Sequence, residues 1–311
     1  GGNGDLFVVE AGADLITDFG VGGPDSIVIA SGSATVNVTE DYTAGFLSSI
    51  DNQQANTAAV FNVANDIDFN SAAATGTTNG ITITADTGNA ASALTGTNKA
   101  DIITGNAGAN IITGGVGSDE MNGGAGADDF VQTGQVDAAG AVQADTISGF
   151  TINSEQIGNW SVGNLNSALV AAGAAGDILV DLVGVNAAVA DVAVVVDTFT
   201  GAFAQADIDA GTNIALISDG GVLTDITAEL EAGGGHAYTS AGTAAGNGFL
   251  VLWDDNTSSY LSLIQSTAGS DGDGTAGTFA GNDLTATTLV TFTGLTNAAS
   301  LDANEFLDFV A

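Results

Sequence analysis

Cysteine and arginine are both missing from this 311-residue sequence, and lysine, proline and histidine occur once each, as Lys99, Pro24 and His236. Without cysteine there is no disulfide framework and no thiolate metal site, although this alone leaves the compartment open. One histidine cannot build a His-based metal cluster within one chain. It cannot supply an HExxH pair either. One lysine cannot replace the counterions along a nucleic-acid backbone or hold the chain to an anionic membrane. No apolar run reaches the roughly 18 residues of a membrane-spanning helix. The longest candidate, 180–196, is interrupted by Asp181, Gly184, Asn186 and Asp191.

The chain does have acid. Aspartate and glutamate total 37 against a single basic residue, so the formal net charge is −36. An excess of one sign ordinarily signals disorder. Here hydrophobic residues make up 45% of the chain and the mean hydropathy is +0.31, which predicts folding instead. The uncompensated charges repel one another in a compact state. The simplest neutraliser for clustered aspartates is a hard divalent cation, and calcium is the one expected outside a cell.

The 45 glycines are not spread evenly. From Gly96 the sequence reads GTNKADIIT, GNAGANIIT, GGVGSDEMN and GGAGADDFV, four nine-residue units in register that end at Val131. Position one is always glycine: Gly96, Gly105, Gly114 and Gly123. Position six is Asp101, Asn110, Asp119 and Asp128. Position eight is apolar: Ile103, Ile112, Met121 and Phe130. A flexible glycine linker would need no such register.

The spacing G-G-x-G-x-D-x-U-x is that of calcium-binding β-helices, and the segment resembles the RTX (repeats-in-toxin) family of secreted bacterial proteins. The resemblance implies units made of a glycine turn and a very short strand, with successive strands on opposite sheets of a flattened roll. Turns on one edge then lie two units apart, which stacks Asp101 near Asp119 and Asn110 near Asp128. Two bare carboxylates about 4 Å apart repel by roughly 4 kcal/mol at an effective dielectric of 20. A cation between them turns that repulsion into a bond. The implied calcium set is Asp101, Asn110, Asp119 and Asp128, with the turn residues Gly96, Asn98, Gly105, Asn106, Gly114 and Gly123 as further oxygen donors. Position eight points inward. At position seven, Ile102 and Ile111 face outward and are either covered or simply exposed, whereas the next layer carries Glu120 and Asp129.

A second pattern flanks the repeats. Asp145-Thr146-Ile147-Ser148-Gly149-Phe150 precedes Glu155-Gln156-Ile157, and Asp14-Leu15-Ile16-Thr17-Asp18-Phe19 precedes Asp25-Ser26-Ile27. Such segments are similar to those that close RTX rolls in secreted proteases and lipases. They imply inward Ile16 and Ile27 and add Asp14, Asp18, Asp25 and Asp145, with Asp5, as further calcium ligands; a plain acidic surface is the alternative for the early ones. Residues 1–30 are therefore expected to be the end of a first roll, 31–95 a small β module, 96–160 a second roll with its closing segment, and 161–311 a β-rich module. The expected fold class is mainly β: a parallel β-roll combined with β-sandwich-like modules and a few short helices.

Strands are predicted at 35–39 and 81–84, where β-branched residues alternate with polar ones. Further strands are predicted at 178–183, 192–196, 214–217, 249–253, 260–264 and 289–294. Asp254-Asp255-Asn256-Thr257 reads as a hairpin turn. Helices are predicted over 164–172, capped by Asn164, and over 224–231, capped by Thr224. Ser270-Asp271-Gly272-Asp273-Gly274 is either a cation site or a solvated loop. The ending, with Asp302, Glu305 and Asp308 between Phe306, Leu307, Phe309 and Val310, is similar to the uncleaved signals of type I secretion. The opening Gly1-Gly2-Asn3-Gly4-Asp5 suggests the later part of a longer or processed chain.

No catalytic signature emerges. There is no GxSxG elbow, no phosphate loop, and nothing singles out a pair among the acids for glycoside hydrolysis. His236, after three glycines, reads as a loop or core residue. The chain is expected not to be an enzyme. The leading expectation is a secreted, extracellular, calcium-binding structural protein that forms a homo-oligomeric surface layer, matrix or filament. It resembles RTX-type S-layer proteins of Gram-negative bacteria, with neither nucleic acid nor membrane as partner. Contact with a cell-surface glycan or lipopolysaccharide would fall to an upstream segment. The alternative is the calcium-dependent folding and export region of a larger exoenzyme or adhesin.

Overall fold

The computed structural model describes residues 4–44 apart from 22 and 24, 50–69, 79–132 apart from 89, 142–158, 196–204, 214–218, 223–240, 248–266, and 277–306 apart from 280 and 282. The chain divides into two units, one of residues 1–135 with 145–157 and one of 136–144 with 158–311.

The first unit is a succession of short strands. They are β1 (Leu6–Val9), β2 (Ala13–Ile16), β3 (Ser26–Ile29), β4 (Ser33–Val38), β5 (Tyr42–Thr43), β6 (Ile50–Asn52), β7 (Ala59–Val63) and β8 (Ile67–Asp68). There follow β9 (Thr82–Ala85), β10 (Ala93–Thr95), β11 (Ile102–Thr104), β12 (Ile111–Thr113), β13 (Glu120–Asn122), β14 (Asp129–Val131), β15 (Asp145–Ser148) and β16 (Gln156–Gly158). One sheet runs β15-β13-β11-β9-β7-β4-β2, a second β16-β14-β12-β10-β8-β5, and a third β1-β3-β6. From β8 on, consecutive strands alternate between the first two sheets. The neighbouring strands are parallel. Parallel neighbours need a crossover connection; here the crossover is a strand in the opposite sheet, so the chain winds as a roll.

The register stacks like on like. Ile103 pairs with Ile83 and Met121, and Ile112 with Leu94 and Phe130. These side chains point inward and are fully buried. Each contributes about 1.5–3 kcal/mol relative to an exposed one. The early coils are filled by aromatic rings, with Phe61 edge-on to Phe19 at 5.5 Å and to Phe69 at 4.9 Å. Ile16 and Ile27 are buried, as expected.

The separate module expected over 31–95 does not form. β4 pairs with β2 and β7, and β9 pairs with β7 and β11, so the winding crosses residues 30 and 95 without a break. The alternation at 35–38 and 81–84 does mark half-buried strands. Their buried side lines the roll, however, not a sandwich. These coils escape the nine-residue pattern because loops replace glycine turns. One such loop holds the 3-10 turn Asn56–Ala58 and is tied down by Asn52, which donates from Nδ2 to the Gly80 carbonyl at 2.6 Å.

The second unit contains β17 (Val196–Phe199), β18 (Phe203–Ala204), β19 (Ile214–Ile217), the helix α1 (Ile226–Leu230), β20 (Tyr238–Ser240), β21 (Gly248–Asp254), β22 (Ser258–Ser266), β23 (Gly277–Thr278) and β24 (Leu284–Thr293). β17, β19 and β21 are parallel, and β22 and β24 follow antiparallel. β18, β20 and β23 form a small mixed sheet. Phe199, Val251, Ile264, Leu230, Tyr238 and Phe279 share one apolar core. The strands expected at 214–217, 249–253 and 260–264 are present, and Asn256 takes a positive φ of 74° in the hairpin turn. Two readings change. Asp225, not Thr224, caps α1, accepting from the Thr227 and Ala228 amides, as a short carboxylate suits an N-cap. β24 starts at Leu284 because its pairing with β22 extends to Ser266. The expected helix at 164–172, the strand at 178–183, residues 192–195, the 270–274 turn and residues 307–311 lie outside the described residues.

Candidate metal centre

The four units occupy β11 to β14 and the turns before them. On one edge of the roll Asp101, Asp119 and Asp145 follow one another coil by coil; on the other, Asn110, Asp128 and Glu155 do. The spacing comes from the register, since Ile102 pairs with Glu120 and Ile111 with Asp129. All six side chains are buried.

The three aspartates at position six, and Asp145 after them, each reach back one coil. Asp101 Oδ1 accepts the Ile81 amide at 2.7 Å, Asp119 Oδ1 the Asp101 amide at 2.7 Å, and Asp145 Oδ1 the Asp119 amide at 2.9 Å. Opposite, Asp128 Oδ1 accepts the Asn110 amide at 2.8 Å. Half of each carboxylate therefore serves as a backbone staple, which the nine-residue spacing did not reveal. It is legible only once the coils are stacked.

The second oxygens differ between units. Asp101 Oδ2 accepts the Thr97 amide at 2.6 Å and the Thr97 hydroxyl at 2.9 Å. Units three and four have Gly115 and Gly124 where unit one has Thr97, and there the oxygen stays bare: Asp119 Oδ2 and Asp128 Oδ2 are buried with no hydrogen-bond partner. Asn110 Oδ1 has none either, its amide nitrogen donating to the Gly108 carbonyl at 2.6 Å. Glycine is required beside these oxygens. A Cβ on Gly114 would lie 2.3 Å from Asp119 Oδ2, and one on Gly123 2.3 Å from Asp128 Oδ2. Gly124 has φ +94°, and a Cβ there would fall 2.1 Å from the Asn106 carbonyl oxygen.

Burial pushes the Asp119 carboxyl up to about 9, and the charges of Asp145 and Asp101 push the same way. Burial also raises Asp101 to about 7 against the lowering hydrogen bonds from Ile81 and Thr97. Glu155 rises to about 7, mainly through burial. Such carboxylates ask for a proton or a cation.

The residues fit calcium. The orphaned atoms are hard oxygens set beside the glycine turns at Gly114 and Gly123, and the chain has no cysteine to compete. Among the described residues no three His, Cys, Asp or Glu side chains converge on one point. A cation on one edge would thus be held by Asp119 and one on the other edge by Asp128, each with backbone oxygens, the ions supplying the positive charge that the turns lack. Asn106 works inside its own turn, its Oδ1 accepting from Gly108 at 2.7 Å; Asn98 is exposed. Gly96 and Gly105 sit under the Gly114 and Gly123 carbonyls.

The early acids divide. Asp14 and Asp18 are exposed, while Asp25 is buried with its oxygens accepting the Asp5 and Gly20 amides at 2.7 Å each. Asp25 is therefore a staple like Asp101, with both oxygens filled. Glu155 was missed as a site residue because it lies outside the nine-residue frame, although its place before Gln156-Ile157 was visible. In the second unit His236 is buried in a loop, with Nδ1 2.8 Å from Glu229 Oε1.

Parallel coils, glycine turns and stacked buried carboxylates with bare oxygens define a calcium-type β-roll. Residues 95–130 match the family model of the RTX calcium-binding nonapeptide repeat, in four copies. The chain thus carries an RTX β-roll, whose repeats are a calcium-binding motif of proteins of secreted type. No curated protein matches the chain. No described helix is long and apolar enough to cross a membrane.

Proposed function

We propose that the protein is an extracellular, non-catalytic structural subunit that folds on calcium and assembles with it into a surface layer, matrix or filament. The observation that carries this reading is the pair of bare, buried oxygens Asp119 Oδ2 and Asp128 Oδ2, inside a roll that winds through the described residues of the first unit. The charge of −36 supports it further. Copies of such a chain repel one another until cations lower the charge or bridge carboxylates between them. The outward Ile111, 49% exposed, adds an apolar contact point on the calcium-bearing coils. Sedimentation at rising calcium tests the proposal. Large ordered assemblies that dissolve on chelation are expected. A folded monomer at every calcium level would contradict assembly, and would favour a region that serves only folding and export.

A further inference from the structure

The hairpin of β21 and β22 closes through residues 255–258, with Asp254 paired to Ser259. Asp255 builds that turn. Its Oδ1 accepts the Thr257 amide at 2.8 Å, the Ser258 amide at 2.9 Å and the Thr257 hydroxyl at 2.6 Å, and its Oδ2 accepts the Tyr260 hydroxyl at 2.8 Å. Asn256 gives the turn its backbone. It takes the left-handed φ of 74°, which asparagine tolerates. Its side chain is exposed, and among the described residues nothing hydrogen-bonds the carboxamide.

Asn256-Thr257-Ser258 has the Asn-x-Ser/Thr pattern of an acceptor for N-linked sugar. Two other triplets in the chain share it. Asn37-Val38-Thr39 begins inside β4, flanked by β2 and β7, and Asn37 Oδ1 accepts Asn62 Nδ2 at 3.1 Å. A sugar there would stand on the middle of a sheet. Asn159-Trp160-Ser161 lies outside the described residues. At Asn256, by contrast, Nδ2 stands clear at a hairpin tip.

We propose that Asn256 is a glycosylation site whose Nδ2 carries a sugar in the secreted protein. The co-reactant is an activated sugar, a glycosyl phosphate whose phosphate is borne by a nucleotide or a lipid, and a separate transferase performs the step. Nδ2 attacks the anomeric carbon. The new N–C bond forms as the bond from that carbon to the phosphate oxygen breaks. The phosphate leaves with the electron pair, and the amide gives one of its two protons to a base of the transferase. The Ser258 hydroxyl belongs to the acceptor pattern and is buried once the hairpin closes, so transfer precedes folding. The exposed tip then carries the bulky, solubilising group without opening the hairpin. This site depends neither on calcium nor on assembly.

The test is peptide mass spectrometry on the full chain purified from the cells that produce it, beside the same chain made in a host without N-glycosylation. Cleavage after Trp253 and Tyr260 releases residues 254–260. That peptide should carry an added sugar mass at Asn256 in the first sample and none in the second, and the peptide holding Asn37 should carry none in either. A single hexose would indicate a nucleotide-linked donor, and an oligosaccharide a lipid-linked one. Asn256→Gly keeps a residue suited to the left-handed turn, and Ser258→Ala keeps the acceptor nitrogen. Made in the same cells, both should lose the mass, whereas Ser258→Thr should retain it. Occupancy is read on peptides, so it does not depend on the stability of any variant. Unmodified Asn256 in the protein from its own cells, or a sugar on Thr257 instead, would overturn the proposal.

Discussion

Asp119 accepts the backbone amide of Asp101, eighteen residues earlier, on Oδ1 at 2.7 Å and leaves Oδ2 buried without a donor. One carboxylate thus joins two coils by its first oxygen and is available to a cation by its second. The Asp101 carboxylate, one coil back, is closed by Thr97. At the same turn position Thr97 gives Asp101 an amide and a hydroxyl, whereas Gly115, at φ +104°, gives Asp119 Oδ2 neither.

Asp119→Asn should therefore separate the two roles. Asparagine retains an oxygen for the Asp101 amide but removes the charge. Calcium affinity should fall by at least about tenfold, roughly 1.4 kcal/mol. Asn110→Ala should lower it less, since that side chain offers only a neutral oxygen. Equal losses in calorimetry would contradict the assignment.

The pH dependence should reverse with calcium. The folded-state values of Asp119, Asp101 and Glu155 are raised to about 9, 7 and 7 from ordinary values of 3.8, 3.8 and 4.5. The folded protein then binds more protons than the unfolded chain. Their contribution to stability is complete below about pH 4 and is lost as pH rises through about 7 to 9. In chelator the residual β signal in circular dichroism should be greater at about pH 5 than at about pH 8. Calcium must displace those protons, so its stabilising increment should be larger at the higher pH. A calcium-free β signal that grows with pH would contradict this.

Gly124→Ala should weaken the fourth turn. The left-handed φ of +94° alone costs a side chain about 1–2 kcal/mol, and the Asn106 carbonyl lies in the way of the new Cβ. Urea midpoints in saturating calcium should drop accordingly. An unchanged midpoint would mean that the turn is not stacked as described.

Ile111→Ser should leave folding within about 0.5 kcal/mol of the wild type, as an exposed site does, yet reduce calcium-driven self-association. A large loss of stability would place Ile111 in a core, and unchanged sedimentation would remove it from any contact between copies.

The strict repeat was legible because each layer of the roll reuses one frame: glycine in the turn, acid at position six, apolar residue at position eight. The inward pairs Ile103 with Met121 and Ile112 with Phe130, and the stacking of Asp101 on Asp119, could be drawn from that frame and the resemblance it carries. The coils over 31–95 were not legible as a roll. Val36, Phe61 and Ile83 continue the column of Ile103 and Met121, but loops of unequal length between their strands erase the period. The place of Glu155 one coil beyond Asp128 was hidden for a related reason, as the closing segment leaves the nine-residue spacing. The switch from Thr97 to Gly115 was visible in sequence, and its meaning emerged only from the hydrogen bonds.

Far-ultraviolet circular dichroism in millimolar calcium, after chelation, and after calcium is restored tests the central claim most directly, since bound calcium is folding energy for the roll. The account predicts a β spectrum with calcium, its substantial loss in chelator, and its return when calcium is added back. Identical spectra in calcium and in chelator would contradict it.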